Sequence, residues 1–158
     1  MELKPKKPSS SRTEQIQIVM QEHINGYHRL FGGQLMQWID IVGGVTARRH
    51  SNCNVTTAAV ENLSFKGPAY VNDTILLIGQ VTYVGRTSME VRVDAYVEHL
   101  NGEKTLVNRA YLVFVALDEQ ERPTPVPPLK LETEEEQSEW EAGVRRNDLR
   151  RQRRLEGY

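Results

Sequence analysis

Cysteine is almost missing from this chain. Cys53 is the single one in 158 residues, so no internal disulfide can form, and a reducing cytoplasm is the expected location. Long apolar runs are missing too: nothing approaches the roughly 18 residues a membrane span requires, so no membrane insertion is expected. Charge of one sign is not in excess. Twenty Lys and Arg against 21 Asp and Glu leave a formal net charge of -1, which argues against bulk attraction to nucleic acid or anionic membrane. The start "MELKPKKPSSSR" is basic but has no apolar stretch, so it does not read as a secretory signal. The histidines, His23, His28, His50 and His99, show no helical metal spacing, and no metal site is expected. Cys53 has no obvious activating partner and reads as structural.

What is present suits a soluble globular domain. Hydrophobic residues make up 39% and charged residues 26%, and the length fits one core with little left for a second. Residues 1–11, dominated by Lys, Pro and Ser, are expected to be a flexible tail. Ile16, Ile18 and Met20 alternate as in a short strand. The stretch "QEHINGYHR" is a loop, and a helix is expected from about Phe31 to Arg49. From Val55 to Leu117 the chain reads as four strands in succession. Met89, Val91, Val93, Ala95 and Val97 share one face of "MEVRVDAYVEH". Asn101-Gly102 is a signal for a two-residue hairpin loop with positive φ at both positions. One long helix against about five antiparallel strands is an α+β layout in which the sheet wraps the only apolar partner available.

Beyond Leu117 the character changes. "ERPTPVPPLK" holds four of the seven prolines and cannot be regular structure. Residues 129–158 read as a charged, helical carboxy-terminal extension. Thr133 and Glu136 fit a capping box, and acidic residues lead while arginines trail, which complements the helix dipole. A solvated appendage helix packing Trp140 and Val144 on a neighbour is the plain expectation; nucleic-acid binding by the arginines is the sharper alternative.

The long helix holds two oddities, Gly32-Gly33 at its start and Asp40 among apolar residues. At about 100° per residue, Leu35, Trp38, Ile39, Val42 and Val45 form one broad face for the sheet. Gly33, Gln37, Asp40, Gly44 and Ala47 lie opposite, with Met36 at the edge. Small residues on the far face let another backbone approach, and a second copy of the same helix is the expected partner in a two-fold dimer. Helix amino ends offer unpaired N–H groups, and glycine lets a ligand come close to them. The plainer alternatives are an Asp40 that is a surface residue or a salt-bridge partner for Arg48 or Arg49, and glycines that serve packing alone.

Taken together, "N-x-x-x-x-x-F-G-G-x-L-M-x-W-I-D", "VTTAAVENLSFKGPAYVND", "VTYVGRTSMEVRVDAYVE" and "NRAYLVFVALDEQERPTPVP" resemble the hotdog-fold acyl-CoA thioester hydrolases of the broad-specificity bacterial type, over residues 12–128. The resemblance implies a five-stranded antiparallel sheet wrapped around one helix, a homodimer at minimum, and often a trimer of dimers. It implies hydrolysis of acyl-CoA, with Asp40 as general base or nucleophile. It also implies that Asn25, Gly32 and Gly33 of one subunit face Asp40 of the other. Arg86, Thr87 and Ser88 of the "VGRTS" turn become candidate coenzyme contacts, although an ordinary hairpin turn would look the same, and Thr57 is a further candidate. The loop departs from the "D-x-N-x-x-G" of many members by having His23, Asn25 and His28.

In such a reaction, N–H donors stabilise the oxyanion formed from the thioester carbonyl. Coenzyme A leaves well as a thiolate, so no metal and no cofactor beyond the substrate's own coenzyme is implied. Two other functions share this fold. A dehydratase needs a histidine base at the helix start, where this chain has "LFGG". A non-catalytic acyl-CoA sensor would carry a DNA-binding helical unit ahead of the first strand, where only eleven tail-like residues stand.

Overall fold

A computed structural model describes residues 2–157. Its elements in chain order are β1 (Thr13–Ile18), α1 (Gly32–Ser51), β2 (Asn54–Phe65), β3 (Thr74–Val84), β4 (Ser88–Glu98), β5 (Lys104–Leu117) and α2 (Glu134–Glu156). The strands form one antiparallel sheet in the order β1-β3-β4-β5-β2. The chain leaves β1 at one edge, passes through α1 and enters β2 at the other edge. The helix therefore crosses the whole inner face of the sheet.

That face is built by strict alternation. Met89, Val91, Val93, Ala95 and Val97 of β4 are all buried, as the sequence pattern requires, beside Ile75, Leu77 and Val81 of β3 and Ala110, Leu112, Phe114 and Ala116 of β5. From α1 they receive Leu35, Trp38, Ile39 and Val42. Gly79 of β3 admits the helix, because a side chain there would collide with the Thr46 hydroxyl and Val42. Two expected helix positions change places. Ala47 is fully buried, while Val45 is only half-buried. Thr46 lies against Gly79 of β3, and His50 is covered by the stretch after β5 through Pro127, so the buried stripe is wider than one straight face.

The hairpin between β4 and β5 uses a three-residue loop. The Gly102 N–H donates to His99, and only Gly102 has positive φ, at 88°. Asn101 instead turns its side-chain oxygen to the Glu103 N–H at 3.0 Å, so the two-residue loop gives way to a turn closed by a left-handed glycine. In β1 the alternation has the expected period, but Ile16, Ile18 and Met20 point outward and are exposed.

Residues 2–11, expected as a flexible tail, are pinned. The Lys6 backbone bonds with Pro128 and Lys130, Pro8 and Ser11 are buried, and the Lys6 ammonium donates to the Arg49 and His50 carbonyls and to Asn52, capping α1. The proline-rich stretch after β5 runs alongside the body. Val126 donates to Arg86, and the Pro127 carbonyl accepts from buried His50 at 2.7 Å. Burial lowers the His50 pKa, which keeps the ring neutral.

The carboxy-terminal helix lies on the outer face of its own sheet rather than standing free. Trp140 packs against Tyr83 with centroids 4.7 Å apart, and Gly143 is buried because a side chain there would strike Tyr83. Val144, expected to pack, is exposed. Ion pairs add to this contact. Arg146 grips the Glu90 carboxylate with two bonds of 2.7 and 2.9 Å, and Arg150 reaches Glu61 at 2.9 Å. Thr133 caps the helix by accepting from the Glu136 N–H, while the Glu136 carboxylate turns to Glu132, so half of the expected box forms.

Candidate active site

Asp40 is exposed on α1, on the face turned from the core, and its carboxylate accepts a hydrogen bond of 2.8 Å from the Thr57 hydroxyl of β2. A bulge between Thr57 and Ala59 breaks the β2 register at this point. β2 is an edge strand, and among the described residues no further strand pairs beyond it. Two cavities open beside them. One, of about 260 Å³, runs along Ile41, Gly44, Val45 and Arg48 and ends on Phe114. The other, of about 350 Å³, lies toward the start of the helix between Gly33, Met36, Val60 and Leu63. Asp40 and Thr57 line both, so the carboxylate stands on the ridge between two hollows.

The amino end of α1 is uncapped by any side chain, since its N-cap residue is Phe31. Its first N–H groups are therefore available to an external acceptor. The glycines there sit beneath aromatic rings. A side chain at Gly33 would meet the Phe31 ring at 2.6 Å, and one at Gly32 would come within 3.5 Å of Phe65. Both rings are more than half exposed. The packing explanation for Gly33 thus holds locally, and it leaves the helix end open as well.

Gly32 shares a third cavity, of about 500 Å³, with Asn25, Arg29, Leu35 and Phe65. Asn25 is engaged in its own loop, its side-chain oxygen accepting from the Tyr27 and Arg29 N–H groups at 2.9 and 3.3 Å. Its amide nitrogen remains for a ligand. Within one chain Asn25 and Asp40 line different cavities, and only Gly33 of the helix end shares a hollow with Asp40. The exposed apolar side chains Met36 and Ile41 of α1, Val60 and Phe65 of β2, and Phe31 just before α1 lie around this face.

A sequence profile of the Thioesterase superfamily matches residues 27–102. A Bacillus subtilis protein described as an uncharacterized acyl-CoA thioester hydrolase is 40% identical over 131 residues, which span 82% of this chain and 76% of that one. The chain belongs to the thioesterase superfamily. Solved structures agree on the fold, a hotdog in which one long helix is wrapped by the sheet. An acyl-CoA hydrolase from Staphylococcus aureus, an asparagine-to-alanine variant in complex with coenzyme A, superposes with a TM-score of 0.93 at 31% identity, covering 98% of this chain and 93% of that one. The same enzyme has also been solved with butyryl coenzyme A, and as aspartate-to-alanine and threonine-to-alanine variants. An apo-hexameric acyl-CoA thioesterase superposes at 0.91 with 38% identity, covering 96% and 97%.

In this superfamily member the remaining sequence candidates fall elsewhere. Arg86, Thr87 and Ser88 form the turn between β3 and β4, held where Val126 donates to the Arg86 carbonyl and Ala116 to that of Thr87. Thr87 and Ser88 line a groove on the outer face, beside α2, and not the Asp40 cavities. Sequence reasoning did not single out Phe65, which walls the glycines, or the Glu90 cluster that seats α2. For Phe65 the available signal was the single aromatic residue of β2, at its last position.

Proposed function

We propose that this thioesterase hydrolyses acyl-CoA to free coenzyme A and a carboxylic acid, in a site made by two copies related by a two-fold axis. The observation that carries the reading is the Thr57–Asp40 hydrogen bond on an open helix face, set on a ridge between two cavities. The names of the relatives support the activity, and the asparagine, aspartate and threonine replaced in the staphylococcal enzyme occur at the same intervals along the chain as Asn25, Asp40 and Thr57.

The thioester carbonyl lies against the uncapped start of α1, where the Gly32 and Gly33 N–H groups and the Asn25 amide of one copy meet the charge that develops on oxygen. Asp40 of the other copy takes a proton from water as the water oxygen bonds to the carbonyl carbon, or it attacks that carbon itself to give an anhydride that water then opens. The Thr57 hydroxyl fixes the carboxylate by donating to one oxygen and leaving the other for the reaction. Collapse of the tetrahedral species breaks the C–S bond, and coenzyme A departs as a thiolate, a leaving group good enough to need neither a strong acid nor a metal. The acyl chain follows the apolar walls of the cavities. An assembly of at least two copies follows from the shared site, and a trimer of dimers would match the hexameric relative.

The test is thiol release from acyl-CoA. Asp40→Asn keeps the shape and the Thr57 contact but can neither accept a proton nor attack. It is expected to fold and assemble as the parent does and to lose about 10²–10⁴ in rate. Near-parental hydrolysis by Asp40→Asn would remove Asp40 from the chemistry.

A further inference from the structure

β2 carries the Thr57 side of the site, yet its support within the sheet is broken. It lies at the edge and pairs with β5 alone. Its ladder is interrupted twice, between Thr57 and Ala59 and between Glu61 and Ser64. Asn62, within the second interruption, has a left-handed φ of 51°. Each such irregularity bends the strand and leaves a residue unpaired. Between the two, only Ala59, Val60 and Glu61 stay in register, opposite Val113, Leu112 and Tyr111 of β5. The strand that must set Thr57 against Asp40 is therefore held weakly by its own ladder where it matters.

Side chains alternate across this short piece. Val60 faces inward and, with Thr57 and Leu63, walls a cavity that Asp40 lines. Glu61 faces outward, and its carboxylate accepts a hydrogen bond of 2.9 Å from Arg150 of α2. Only 14% of the Glu61 side chain and 13% of the Arg150 side chain are exposed, so solvent and salt screen the pair less than one at the surface. Among the described residues, the side chains of β2 make two kinds of hydrogen bond to other elements: Thr57 to Asp40 on the inner side, and Glu61 with Arg150 on the outer. The helix itself is seated without Glu61. Arg146 holds Glu90 with two bonds, Trp140 packs on Tyr83, and Arg150 also lies 3.5 Å from Glu90. The Glu61 bond carries the hold of this seated helix across to the edge strand.

We propose that Glu61 and Arg150 are positioning residues for the thioesterase reaction. Their ion pair fixes the bulged segment of β2 from its outer side, so that the Thr57 hydroxyl meets the Asp40 carboxylate on the inner side. This role rests on the hydrolase reading above. It gives α2, which lies beyond the stretch matched by the superfamily profile, a part in the reaction without any contact to substrate. A small displacement of a positioning group costs rate even when it arises away from the reacting atoms.

The test is a double-variant cycle on thiol release by the full chain, joined to hydrogen exchange of the β2 amides, which needs no turnover. Glu61→Gln keeps the shape and leaves Arg150 its contact with Glu90. It is expected to assemble as the parent does and to exchange the amides of residues 57–61 faster. Its kcat is expected to fall about threefold or more with KM unchanged, within the roughly tenfold loss expected of Thr57→Val. Arg150→Gln should share the effect, and Arg150→Lys, which keeps the charge, should recover most of it. On a Thr57→Val background, Glu61→Gln should lower kcat no further, because the bond through which it acts is already gone. An equal further loss on that background overturns the proposal, as does an unchanged kcat with a lowered melting temperature, which would leave the pair merely structural. A raised KM with kcat kept overturns it too, since the pair would then touch substrate. A parent chain that hydrolyses no acyl-CoA sinks the hydrolase reading instead, and unchanged exchange at residues 57–61 in Glu61→Gln sinks the hold on β2 whether or not the chain turns over.

Discussion

α1 meets the inner face of the sheet with Leu35, Trp38, Ile39 and Val42, whereas α2 meets the outer face with Arg146 and Arg150 set on Glu90 and Glu61. The first contact is non-directional and needs only the right stripe of residues, each contributing about 1.5–3 kcal/mol when fully buried. The second is directional. The Glu90 side chain is 0% exposed, its carboxylate takes two bonds from Arg146 and one of 2.7 Å from Thr82, and Arg146 stacks 3.8 Å above the Tyr111 ring. A second ion cluster follows along the same face, where Asp94 accepts two bonds from Arg109 and Tyr111 donates to Glu139. The inner helix is thus free to expose its far side for a site, while the outer helix spends its charges on being held.

The difference can be broken most severely at Glu90. Glu90→Ala leaves Arg146 and part of Arg150 buried without a partner and is expected to cost about 3–5 kcal/mol, read by denaturant unfolding and by the fluorescence of Trp140 as α2 loosens. Replacing both partners, Glu90→Leu with Arg146→Met, is expected to restore most of that loss; no recovery would mean that the ion pair itself specifies the docking.

The next test falls on α1. Gly44 has open space on its outer side, with Phe114 no closer than 3.8 Å to a side chain placed there, whereas one at Gly43 would press on Phe114 at 3.0 Å. Gly44→Leu is therefore expected to fold as a subunit and to weaken assembly by on the order of tenfold or more, seen by sedimentation, because the added side chain stands on the face proposed for the second copy. An unaltered assembly would place the partner on another face. The smallest effect concerns Thr57. Thr57→Val keeps the shape and removes the hydroxyl, and kcat is expected to drop about tenfold with stability unchanged, since one hydrogen bond to a charged group is lost at an exposed position.

The two helices were not equally legible. Hydrophobic period and strand alternation placed α1 within two residues at each end and gave the β4 core face residue by residue. Burial follows period, and period is written in the sequence. The outer face was not legible in the same way. Glu90 and Asp94 occupy the polar side of a half-buried strand pattern, which reads as solvent-facing until something covers it, and the arginines of α2 read as a solvated run. Only tertiary pairing reveals that they meet. The pinned amino terminus was hidden for the same reason, because a lysine that caps a helix 43 residues away leaves no local pattern. In the site, Asp40 and the glycines stood out as violations of a helical rule. The resemblance set Asn25 and Asp40 in different subunits of one site, and within one chain the two line separate cavities.

That partition leads to the most direct test of a site shared between copies. Asn25→Ala and Asp40→Ala are each expected to hydrolyse acyl-CoA poorly alone. Mixed and allowed to exchange subunits, they form heterodimers in which one site joins the intact Asn25 of one chain to the intact Asp40 of the other, while the second site carries both defects. With complete random pairing, half the dimers are mixed and half of their sites work, so thiol release should recover to roughly a quarter of the parental rate by the symmetry of an isologous pair. Each variant exchanged against itself is the control. No recovery, with mass spectrometry showing that heterodimers formed, would contradict the shared site.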